Sequence, residues 1–93
     1  MRLYHITTRA QWQSVTTEYR APSLATEGYI HLSTADQWPR TLARFYANTP
    51  DLVLVELDPA GLDVRFEAAD GEAFPHLYGA LPITAVIGIR PLT

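Results

Sequence analysis

The chain has 93 residues, enough for one domain with a modest core and no second unit. Its 47% apolar and 18% charged content excludes a disordered chain, and the absence of cysteine excludes disulfides and thiolate metal sites. The net charge is −3, and the seven cations are all arginines scattered along the chain, so no basic face is offered to DNA or RNA.

The first nine residues hold no apolar run of signal-peptide length, and no stretch approaches the roughly 18 apolar residues of a membrane span. A single cytoplasmic domain over 1–93, with no membrane partner, is the expectation. Arginine without lysine still leaves individual guanidinium groups as forks for phosphate or carboxylate.

In chain order, Leu3, His5 and Thr7 alternate with Tyr4 and Ile6, the pattern of a half-buried first strand. Thr8 with Gln11 forms a capping-box signature, and Trp12, Val15 and Tyr19 recur at helical spacing, so a first helix is expected at about 8–19, ended by Pro22. Gly28 opens a second strand, in which Tyr29, His31 and Ser33 alternate with Ile30 and Leu32. Thr34 with Gln37 repeats the capping signature, ahead of a second helix at about 35–48 with Trp38, Leu42, Phe45 and Tyr46 on its apolar face. Residues 52–58 are almost continuously apolar β-formers and read as a central strand. A short strand around Val64–Glu67, an irregular Gly- and Pro-rich stretch at 69–82 and a last strand at 83–89 complete the order. The fold class is therefore α+β with two principal helices.

An internal echo draws attention to the histidines. His5-Ile6-Thr7-Thr8-Arg9-Ala10-Gln11-Trp12 returns as His31-Leu32-Ser33-Thr34-Ala35-Asp36-Gln37-Trp38, identical at four of eight positions. Helix capping explains the Thr and Gln of each copy but not the histidine. A lone strand histidine is usually satisfied by a backbone carbonyl; two at matching positions, each beside a hydroxyl residue and a helix start, suggest a cleft attractive to a compact anionic, nucleotide-like ligand. His76 and Tyr78 lie in the Pro/Gly stretch, and Arg65 and Glu67 share one strand face. No His-x-His or His-x-x-x-His pair marks a metal centre, so no metal is expected, and no Gly-x-Ser-x-Gly elbow supports Ser33 as a nucleophile.

The strings Leu3-Tyr4-His5-Ile6-Thr7, Glu27-Gly28-Tyr29-Ile30-His31-Leu32-Ser33, Arg65-Phe66-Glu67 and Phe74-Pro75-His76-Leu77-Tyr78-Gly79 resemble an uncharacterised bacterial family, domain of unknown function 952. That family is itself similar to a minimal ADP-ribosyltransferase-like fold. The resemblance implies two short sheets packed around a cleft, with NAD as substrate. It implies His5 with Thr7 against the ribose, and His31 with Ser33 on the second strand. His76, Tyr78 and Arg65 would complete the ligand contacts. The chain departs from the pattern around His76 and Tyr78, where no acid stands at the expected place; Glu67 is the substitute. On this reading His5, His31 and Glu67 are catalytic. A nucleotide-binding module without turnover and a histidine metal-site hydrolase are the alternatives.

Overall fold

The computed structural model describes residues 1–92. Its centre is strand β4 (Leu52–Leu57), flanked antiparallel by β1 (Leu3–Thr8) and β8 (Val86–Pro91). The continuous apolar run of β4 has a direct cause: the sheet is covered on both faces. Leu3, Val53, Val55 and Leu57 pack into the larger core with Tyr19, Ile30, Leu32, Leu77 and Leu81. Ile6, Leu52 and Leu54 point the other way, against Trp38, Leu42 and Tyr46.

The first helix, α1 (Arg9–Gln13), starts where the capping signature places it, with the Thr8 hydroxyl accepting the Gln11 N–H at 3.2 Å. It is far shorter than the expected span. Ser14, Val15, Thr16 and Thr17 are hydroxyl and β-branched residues that favour leaving a helix. Glu18–Tyr19 then forms β2, paired with β7 (Leu81–Pro82). Pro22 does not end a helix but starts one. It opens α2 (Pro22–Glu27), where its missing N–H is harmless in the first turn. The helix closes at Gly28, whose φ of 89° only glycine adopts freely.

The second strand shrinks to β3 (Ile30–His31), extended by a bridge between Tyr4 and Ser33. Helix α3 (Trp38–Phe45) begins three residues later than expected, because Gln37 is spent on Thr34, Glu72 and the Ala73 carbonyl, and Pro39 fits its first turn. The stretch at 69–82 is not irregular: β5 (Val64–Ala69) and β6 (Glu72–Leu77) form a hairpin through Asp70-Gly71, both at positive φ. A short 3-10 turn, Ile83–Ala85, precedes β8.

The architecture is thus α+β with three small antiparallel sheets, β1-β4-β8, β2-β7 and β3-β6-β5, and three short helices, rather than two sheets and two helices. No helix among the described residues is long and apolar enough to cross a membrane.

Candidate functional site

The β3-β6-β5 sheet collects the polar aromatic residues on one face. Register pairs His31 with His76 and His76 with Arg65, so period-two alternation brings Phe74, His76, Tyr78, Arg65 and Glu67 to the side that carries His31. Ile30 and Leu77, one residue away, turn into the core. Tyr29 joins the site two residues before His31, delivered by the Gly28 turn and held by the Ser23 hydroxyl, which donates to the Tyr29 carbonyl at 2.8 Å.

The rings pack closely. Tyr29 stacks on His76 at 4.1 Å between centroids and 17° between planes. His31 stands edge-on to His76 at 5.4 Å and to Tyr29 at 5.0 Å. Each histidine has its own carboxylate. His76 Nδ1–H donates to Glu67 Oε1 at 2.8 Å, and His31 Nε2–H donates to Glu27 Oε2 at 3.0 Å.

Glu67 is the hub. Its Oε1 also accepts the Tyr78 hydroxyl at 2.6 Å, and the Arg65 guanidinium lies 4.2 Å over the Tyr78 ring. Hydrogen bonds from Tyr78 and then His76 hold the Glu67 carboxyl below its usual range, and the same carboxylate pushes the Tyr78 hydroxyl up. The His31 hydrogen bond likewise lowers Glu27. Because a carboxylate only accepts, the His76 proton is fixed on Nδ1 when the ring is neutral, and Nε2 carries the lone pair. Among the described residues Nε2 has no hydrogen bond. No fully enclosed side-chain nitrogen among the described residues lacks a partner, so this atom keeps some contact with solvent, and His76 is a lining residue of the cleft.

That cleft has a volume of about 530 Å³, the size of a small-molecule site, and lies between the β3-β6-β5 sheet and α3. Tyr29, His31, Ser33 and His76 form its polar end, Phe45, Tyr46 and Phe74 its aromatic walls, and Asp70 its rim. The first turns of α1 and α3 are not among its lining residues; α3 contributes Thr41 and Phe45, further along. The helix-start anion site expected from the echo is therefore not built. Carboxylates, not helix ends, set the local field.

Of the residues singled out in the sequence, the structure brings together His31, Glu67, Arg65, His76 and Tyr78, with Ser33 on the cleft wall. His5 and Thr7 go elsewhere. They share a strand face with Leu3, and that face is the larger core. His5 Nδ1–H donates to the His31 carbonyl at 2.7 Å, and Nε2 lies 2.9 Å from the Tyr19 hydroxyl. Both ring nitrogens are occupied, and neither faces the cleft. Thr7 is buried beside them, donating to Gln11 Oε1 at 2.7 Å. Two site residues escaped the sequence reading, Tyr29 and Glu27. Tyr29 was within reach of it, since it sits two before His31 on the same strand face. The carboxylate of Glu27 was not, because α2 was not expected and only its capped turn returns that side chain to His31.

No group of three or more His, Asp or Glu among the described residues gathers with the geometry of a metal centre. The rings and carboxylates instead define a class: a small α+β protein with paired imidazole–carboxylate couples at the mouth of an aromatic cleft. The chain belongs to the family described as protein of unknown function (DUF952), whose model matches residues 6–89. Among solved structures it is similar to protein CC0527 from Caulobacter crescentus, at 30% identity. The crystal structure of that protein superposes with a TM-score of 0.91 over 100% of this chain and 87% of that one. The solution structure gives 0.81 over 96% and 82%. No curated protein matches.

Proposed function

We propose that the cleft binds NAD or ADP-ribose and that its chemistry is ADP-ribosyltransferase-like cleavage of the nicotinamide–ribose bond. The observation that carries this reading is the Glu67–His76–Tyr78 cluster, with the open Nε2 of His76 beside a stacked tyrosine. The pyridinium ring of NAD is cationic, and cleavage spreads positive charge onto the ribose. Glu27 and Glu67 stand behind His31 and His76, the two rings that line the cleft, and their carboxylates favour a positive charge developing at that end.

In this reading the C–N glycosidic bond breaks and neutral nicotinamide leaves with the bonding electrons. Water or an acceptor hydroxyl attacks the ribosyl cation, and its proton passes to His76 Nε2. Glu67 keeps His76 in the required tautomer and stabilises the imidazolium that forms. Tyr29 and His31 clamp the nicotinamide ring, and Tyr46 and Phe45 supply apolar surface for the rest of the ligand.

Calorimetry with NAD, ADP-ribose and inorganic phosphate, together with chromatography of released nicotinamide, tests the proposal. NAD and ADP-ribose are expected to bind saturably and phosphate not. His76→Ala should weaken binding by about 1–3 kcal/mol, and Glu67→Gln should suppress nicotinamide release more than binding. Absence of saturable binding at millimolar nucleotide overturns the reading. Binding without nicotinamide release favours a nucleotide-binding module that does not turn its ligand over.

A further inference from the structure

The wall behind the cleft contains a polar device that the proposed chemistry does not use. His5 is 7% exposed and sits in the larger core, yet its Nδ1–H bond, the shortest that any histidine here makes, goes to the main chain of a site residue, the His31 carbonyl at 2.7 Å. The opposite nitrogen is pinned as well. Tyr19 brings its hydroxyl to 2.9 Å from Nε2 and 3.1 Å from the Thr7 hydroxyl, and Thr7 passes its own proton to Gln11. Tyr19 itself is 2% exposed and wedged against Trp12, with ring centroids 5.3 Å apart. The imidazole therefore has one position and one tautomer.

The strand it grips needs holding. β3 is two residues long, paired to β6 at Ile30 and His31, with one further bond from Leu32 N–H to the Pro75 carbonyl. On its other side the contact with β1 is the Tyr4–Ser33 bridge, two hydrogen bonds of 2.8 Å, two residues beyond His31. The His31 ring is half-exposed: Glu27 accepts its Nε2–H and it meets His76 and Tyr29 edge-on, contacts that leave much of its surface to solvent. Its direction depends on the backbone beneath it.

We infer that His5 is a positioning residue: by fastening the His31 carbonyl to the rigid β1–Tyr19 core, it sets the orientation of the His31 ring toward His76 and Tyr29. The inference rests on His31 belonging to the site. It makes no use of a ligand, so it stands or falls separately from the nucleotide reading. It also gives the sequence echo a physical sense. The first histidine of the pair acts through the second, and not beside it.

Two substitutions separate this role from simple core filling. An asparagine amide can replace the Nδ1 donor, and a glutamine amide can replace Nε2; asparagine leaves the larger gap, so core filling alone would make His5→Asn the more damaging change. Proton NMR of the ligand-free protein reads the outcome, through ring-proton shifts and the cross-relaxation between His31 and His76, with melting temperature measured alongside. His5→Asn is expected to keep the His31–His76 cross-peak although its melting temperature falls further, and His5→Gln to lose the cross-peak and move the His31 ring protons. Where His5→Gln fails to fold, Tyr19→Phe keeps the core shape, removes the hydroxyl from Nε2 and from Thr7, and should shift the His31 ring protons in the same direction. Unchanged His31 signals in both His5→Gln and Tyr19→Phe, or equal changes in His5→Asn and His5→Gln that follow the loss of melting temperature, would overturn the inference.

Discussion

Among the described residues His5 meets no carboxylate. Burial lowers its pKa to about 4, against a smaller opposing pull from the His31 carbonyl. The unfolded chain takes up a proton at this residue near the ordinary histidine value of 6.5, whereas the folded chain resists until about 4. Between those values the unfolded state binds more protons. The stabilising effect of the neutral ring is therefore complete above about pH 6.5 and is lost as pH falls toward 4. A difference of that size is worth on the order of 3 kcal/mol, a large part of a small domain's margin. Urea midpoints should fall steadily from about pH 7 to pH 5, and His5→Leu should flatten that dependence; equal slopes for the two proteins would refute the assignment. Glu67 and Glu27 act in a different window. Their pKa values are lowered by hydrogen bonds, so their contributions persist above the unfolded carboxylate range and disappear only in more acidic solution.

Among the elements, the β5–β6 hairpin does most to assemble the site, because it sets Glu67 and His76 on adjacent strands. Asp-Gly between alternating segments is a strong hairpin signal, and Asp70-Gly71 was visible in the sequence. Pro75 concealed it, since proline inside a run argues against a paired strand. The structure accommodates Pro75 where the β3 ladder ends. Its carbonyl accepts from Leu32 N–H at 3.0 Å, and the return bond that proline cannot donate falls one residue past the last β3–β6 pair, where the ladder ends. Gly71 has φ 84°, so Gly71→Ala should cost about 1 kcal/mol through backbone strain, with no atom within 4 Å to clash. Thermal denaturation checks this, and an unshifted melt would mean the turn tolerates side chains at that position. The two tryptophans illustrate the same level of organisation. Trp12 and Trp38 lead their helices as expected, but both are only half-buried, packed onto the edges of the two cores rather than filling them.

At the scale of the whole molecule, the β1-β4-β8 sheet is the rigid element and the cleft wall the lighter one. β4 is enclosed on both faces and hydrogen-bonded on both edges, whereas β3 has two residues and α3 lies on the surface with no fully buried side chain. Amide exchange should therefore be slowest in β4, opening only with global unfolding, and distinctly faster in β3 and α3. Protection in α3 equal to that of β4 would contradict this ordering. With a stable central sheet beside a lightly anchored wall, local opening at the cleft leaves the core intact.

What the sequence determined by itself was whatever depends on neighbours a few residues away. The Thr8 cap, the alternation of β1, the continuous run of β4 and the shared strand face of Arg65 and Glu67 were all legible, because capping and period-two or period-3.6 patterning are local. Tertiary structure decided which face of each strand met which neighbour. His5 and His31 look equivalent in the echo, but Leu3 shares a face with His5 and that face packs on Tyr19, while His31 turns outward opposite His76. Long-range pairing likewise divided the polypeptide into three small sheets and left Pro75 inside one of them. Strand register is fixed by contacts tens of residues apart, and a pattern read along the chain carries the period of a strand without saying which side is the core.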